Sequence, residues 1–187
     1  SVGGFAKTIE SGQRWPRPRC PNCDSGHIRF GDPAEAESDP ADRSHPGWEP
    51  EWIHGTFAVH GECENPDCRQ TLQAIGDYRV DYSKKSLPAD DPWEERGPAY
   101  SSYYSVAHIH PPLLVMPVPQ AAPEEVREGV LRASRVLFAD TGLAATALRA
   151  AIERFMTSQG IASTTSKGGF RNARDRIEEW RKADPSR

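Results

Sequence analysis

An α+β chain is predicted, with a small antiparallel sheet carrying metal-binding turns followed by an α-helical domain. Three observations predict it: two close cysteine pairs, β-branched and aromatic runs around them, and a switch to helical periodicity after Pro123.

The cysteines come first in the argument. Cys20-Pro21-Asn22-Cys23 and Cys63-Glu64-Asn65-Pro66-Asp67-Cys68 each place two thiols on one short turn, and two such turns can surround one tetrahedral ion at the usual zinc–sulfur distance of about 2.3 Å. The competing chemistries are a disulfide pair, a redox-active Cys-x-x-Cys and unrelated free thiols. No secretory stretch precedes the cysteines, and the first pair does not follow a strand in a βαβ pattern, which disfavours the disulfide and redox readings. One structural zinc held by Cys20, Cys23, Cys63 and Cys68 is the prediction. Four thiolates leave no position open for water or substrate, so such a metal folds the chain and does not catalyse. Arg19 and Arg69, beside the outer cysteines, are candidates to offset the surplus negative charge. His27 and His60 lie near the pairs and read as strand residues.

Residues 27–30, 52–60 and 71–82 are predicted strands, enriched in β-branched and aromatic side chains. The resulting order of turn, strand, strand, turn, strand is that of a zinc ribbon, assigned to residues 20–87. Within it, residues 31–51 carry four prolines and seven acidic residues against one arginine, the composition of an exposed insertion. Trp48 and Trp52 border it and are expected to pack on the sheet, the alternative being a stacking surface. Residues 88–122, rich in proline, read as an extended and largely irregular connection. In it, His108 and His110 share one side of an extended backbone, which is compatible with a metal or catalytic pair, but with no carboxylate or cysteine cluster nearby they read as packing and hydrogen-bonding residues.

Residues 123–187 form the predicted helical domain. Pro123-Glu124-Glu125 is a favourable first turn for a helix reaching about Ala139 and burying Val126, Val130, Leu131, Leu137 and Phe138. Thr141 is the expected cap of a second helix ending near Gln159, whose alanines permit close packing on the first. Phe170, Ala173, Ile177 and Trp180 mark a shorter third helix. Arg149 and Glu153, four apart, are expected to pair.

Composition narrows the function classes. A formal charge of −4 over 187 residues neither requires nor excludes nucleic acid. No apolar run approaches the 18 residues of a membrane span, so no membrane association and a cytoplasmic location are expected. The arm at residues 1–19 contains Arg14-Trp15-Pro16-Arg17-Pro18-Arg19, where Arg14, Arg17 and Arg19 suit phosphates and Trp15 suits a base. No glycine-rich phosphate loop, zincin helix or nucleophile arrangement is evident, so no catalytic residue is assigned.

With the cysteine turns, Pro111-Pro112, Pro119 and the helix bearing Leu148-Arg149-Ala150-Ala151-Ile152-Glu153, the sequence resembles a prokaryotic domain-of-unknown-function family often fused to restriction and phage-defence modules. That family is similar to the HEPN ribonuclease and toxin superfamily. The resemblance implies a non-catalytic binding or adaptor module of a defence or regulatory system, with protein partners. The family's catalytic segment has an arginine and a later histidine, but this chain has no histidine after His110, so the helical domain reads as truncated. Its uncovered apolar face implies a homo-oligomer. The alternatives are a nucleic-acid-binding module and part of a HEPN-like ribonuclease.

Overall fold

A computed structural model describes residues 2–39, 43–83 and 100–183, which divide into two compact units, residues 1–113 and 114–187. The first unit is a curled antiparallel sheet, a half-barrel. Its strands are β1 (Ile9–Glu10), β2 (Ile28–Phe30), β3 (Ala34–Glu37), β4 (His54–Cys63), β5 (Thr71–Tyr82) and β6 (Tyr100–His110). They lie in the order β1-β6-β5-β4-β2, with β3 also paired to β4.

Strict alternation along β4 explains the curl's two faces. Gly55, Phe57, Val59, Gly61 and Cys63 are buried, whereas His54, Thr56, His60 and Glu62 face water. On the inner face Trp15 stands with its ring centroid 5.9 Å from Phe30, 5.8 Å from Phe57 and 5.7 Å from Tyr104. Phe5 closes the same cluster edge-on to Phe30. The Tyr104 hydroxyl donates to Glu35 Oε1 at 2.6 Å, tying β3 to the far side of the sheet.

The sheet is larger than the three-stranded ribbon expected. Residues 100–110 are not an irregular connection: they form β6, paired with β5 from Tyr82↔Tyr100 to Gln73↔His110 around a register shift at Ile75/Gly76. The prolines of that region flank the strand at Pro98 and Pro111, and the segment between them is proline-free and rich in strand formers. Residues 84–87 at the end of the expected ribbon, residues 88–99 of the expected connection, residues 40–42 of the insertion and the terminal residues 184–187 lie outside the described residues. The described part of the acidic insertion is mostly exposed, yet it supplies β3 at the sheet edge. The arm also joins the sheet, through the Ile9↔Tyr104 and Glu10↔Tyr103 pairs.

The second unit holds α1 (Glu124–Val136), α2 (Thr141–Ser158) and α3 (Ala173–Ala183). α1 stops three residues before the expected Ala139, because the N–H groups of Ala139 and Asp140 both turn back to the Val136 carbonyl at 3.1 and 2.8 Å. Asp140, and not Thr141, caps α2: its Oδ1 accepts from the Leu143 N–H at 2.8 Å. α1 and α2 approach closely through small residues. A methyl group at Gly129 would fall 2.7 Å from Ala151 Cβ, so only glycine fits there. α3 begins after Asn172, whose Oδ1 accepts from the Asp175 N–H at 2.9 Å, and Phe170 stands outside it, 72% exposed.

Candidate metal centre

The register of β2 with β4 builds the site. Ile28 lies opposite Cys63, which brings the turn before β2 against the turn after β4. The first turn closes through Cys20 N–H to the Gly26 carbonyl at 2.9 Å and Asp24 N–H to the Cys20 carbonyl at 3.0 Å; the second closes through Cys68 N–H to the Asn65 carbonyl at 3.0 Å. The residue after the last cysteine of each turn adopts the left-handed conformation, Asp24 at φ 52° and Arg69 at φ 47°. That conformation costs a non-glycine residue about 1–2 kcal/mol, and the two turns share it despite their different lengths.

The four sulfurs lie within 4.8 Å of one another. Two pairs cross between turns, Cys20 to Cys68 at 3.8 Å and Cys23 to Cys63 at 3.7 Å. Cys20 and Cys63 are buried, and Cys23 and Cys68 are half-buried. Gly26 is what allows this closeness: a Cβ there would sit 2.5 Å from Cys63 Sγ. Donors surround the sulfurs. The Gly26 N–H points at Cys23 Sγ at 3.4 Å, and the side-chain amides of Asn22 and Asn65 point at Cys68 and Cys23 at 3.3 and 3.8 Å. Arg19 instead pairs with Asp24 at 3.7 Å, and side-chain amides of two asparagines face the sulfurs.

Without a cation Cys23 and Cys63 do not ionise alike. The hydrogen bonds of Ser25 and Gly26 draw Cys23 down to about 5, while burial pushes Cys63 up to about 12. A divalent ion would deprotonate all four together. Buried sulfur, convergent N–H donors and the spacing of the four sulfurs fit a tetrathiolate metal site. His27 and His60 are outside the cluster.

Of the arm residues, Arg14 is exposed, Arg17 forms an ion pair with Glu64, and Arg19 is the partner of Asp24. Trp15 is half-buried among the rings named above. The His108 and His110 rings lie nearly parallel, 6.4 Å apart on one side of β6. Trp48 is half-buried under the Arg43 guanidinium at 5.9 Å, whereas Trp52 is 45% exposed. Arg149 pairs with Glu153 at 3.2 Å.

Residues 10–105, containing both cysteine turns and almost the whole sheet, match the family described as Domain of unknown function (DUF8608). The chain belongs to this family. DUF8608 thus covers just over half of the sequence and leaves the three helices outside its match. No curated protein and no solved structure matches the chain. Among the described residues, no helix is long and apolar enough to cross a membrane.

Sequence reasoning missed two features. One is an apolar groove of about 650 Å³ in the helical unit, lined by Met116, Val126, Leu148, Ile152 and Phe155 among others. Its helical walls were legible as periodic apolar positions, but the contribution of Met116 and neighbouring prolines was not. The other is the burial of Arg176, 2% exposed, which an arginine-rich helix disguises.

Proposed function

We propose that this chain is a non-catalytic binding module, folded around one structural zinc and used as an adaptor in a prokaryotic defence or regulatory system. The observation that carries it is the cluster of four mutually close sulfurs. Four thiolates complete a tetrahedral shell, and zinc is the common redox-inert ion for such a set. Cys20, Cys23, Cys63 and Cys68 would hold it, and the ion would supply cross-linking of two turns and no reaction.

Protein recognition is the adaptor's task in this reading. The groove of the helical unit supports it, because its lining carries no charged side chain, and Met116 and Ile152 along it are 50% and 40% exposed. Apolar surface of this kind marks contact sites. A second copy of the chain is one partner, through the same helices. The defence setting and a HEPN-like origin of the helices rest on the sequence resemblance. A nucleic-acid role receives less support, since two of the three arm arginines are ion-paired and Trp15 is engaged by neighbouring rings.

Two measurements test this. Mass spectrometry of the native protein should find one zinc per chain, and cobalt substitution should give the intense visible absorption of a tetrahedral thiolate site; an octahedral spectrum would rule out the four-sulfur shell. Sedimentation velocity should show concentration-dependent association that Ile152→Glu abolishes. A monomer at every concentration would remove the homo-oligomer from the proposal.

A further inference from the structure

Arg176 is the most deeply buried charged side chain among the described residues, and its surroundings do not neutralise it. Its Nη2 donates to Thr157 Oγ1 at 2.8 Å and to the Ile161 carbonyl at 2.7 Å. Both acceptors are neutral oxygens. They satisfy hydrogens without cancelling a charge, although the C-terminal end of α2 adds a partial negative potential. Arg176 Nε is buried with no hydrogen-bond partner, and among the described residues no carboxylate lies within ion-pair distance of this side chain. An arginine keeps its proton in a protein, so it cannot escape by neutralising itself.

Arg176 lines an open groove of about 580 Å³ on the helical unit. The other charged residues lining it are Arg154, Glu153 and Glu125. Glu153 is already paired with Arg149 at 3.2 Å, and Glu125 lies in the first turn of α1, where the positive end of the helix offsets it. The lining thus holds two carboxylates and two guanidinium groups, and of these Arg176 is the buried one, with an unpartnered Nε, while Arg154 is exposed with no ion pair among the described residues. Ser163, also in the lining, adds a hydroxyl.

We propose that this open groove binds the oxyanion of a small ligand, a carboxylate or a phosphate, on Arg176 and Arg154 with Ser163 beside them. Arginine's planar fork of donors suits both anions, and a buried one discriminates most strongly because it lacks competing water. The volume falls in the range of small-molecule sites, leaving room for a body beyond the anionic group.

The test uses the metal-loaded full chain, titrated separately with inorganic phosphate and with acetate while sodium chloride holds ionic strength constant. Resonances of residues 150–163 and 173–180 and the arginine Nε–H signals are followed by NMR. Saturable shifts with phosphate or with acetate are expected, and the one that binds tighter identifies the anion's class. Arg154→Gln, an exposed change that should leave folding intact, should weaken that binding at least tenfold, and Arg176→Lys should weaken it as much or more. Shifts no larger than those of matched chloride, or phosphate and acetate binding unchanged in Arg154→Gln, would overturn the proposal.

Discussion

Replacing Gly26 by alanine places a methyl carbon 2.5 Å from Cys63 Sγ, 3.0 Å from Asn65 Cβ and 3.2 Å from the Asn65 nitrogen. Ordinary contact begins near 3.4 Å, so relief requires a displacement of about 0.9 Å. Metal–ligand distances tolerate only about 0.2 Å of error. Asn65 crowds the same methyl through its Cβ and its backbone nitrogen, so more than one atom of the second turn must give way. Cys63 must therefore leave its place in the sulfur cluster, or the two turns must separate. Perturbing groups that merely orient ligands costs about 10–100-fold in metal affinity, and displacing a ligand itself should cost at least the upper figure, about 2.7 kcal/mol. Competition against a chromophoric chelator measures this directly. Gly31→Ala is the control, because its methyl would meet only the His60 carbonyl, at 3.8 Å. An affinity of Gly26→Ala within threefold of the parent protein would refute the reasoning, and with it the closeness of Gly26 to a working ligand.

Three further outcomes follow from the packing and hydrogen bonds. Burial, reinforced by the hydrogen bond to Glu35, raises the Tyr104 hydroxyl from 10.0 to about 12, so folding favours its neutral form. That contribution is complete below pH 10 and is lost as pH rises through 12; Tyr104→Phe should flatten this alkaline loss in denaturant titrations, and at neutral pH cost about 1–2 kcal/mol. Gly129→Ala should destabilise the helical unit by about 1–3 kcal/mol, because overpacking against Ala151 outweighs the gain of about 1 kcal/mol in helix propensity; a raised melting temperature would contradict it. Asp140→Ala should cost about 1 kcal/mol in thermal unfolding and Thr141→Ala distinctly less, an order that reverses if Thr141 is the cap.

The residues that sequence reading placed well are those whose chemistry is local. Two cysteine turns declare a common site through spacing alone, and α2 declares itself through apolar residues at helical intervals. β6 was hidden because Pro98, Pro111 and their neighbours colour the average of residues 88–122, while the proline-free strand sits between them. β1 has two residues and exists only because β6 offers Tyr103 and Tyr104 as partners, which no local pattern encodes. Asp140 and Thr141 are both good capping residues, and the choice between them rests on a single backbone turn at Val136. Within the candidate site the Asn22 and Asn65 amides escaped notice, since a polar residue in a turn signals exposure before it signals a donor to sulfur. Trp15 read as free because its partners Phe30, Phe57 and Tyr104 are distant in sequence and meet only in the folded sheet.

The two cysteine turns lie far apart along the chain, and the β2 and β4 strands that join them flank the acidic insertion. A metal at the sulfur cluster would close that intervening loop as the chain folds, and the entropy of closing a flexible loop grows only with the logarithm of its length, about 0.6 kcal/mol for each doubling. Residues between β3 and β4 can therefore lengthen or shorten at little cost to the rest of the unit, provided the β2–β4 register is kept. The insertion is the place where this fold can accept new sequence, and a tag or a foreign peptide grafted there should leave the sheet intact.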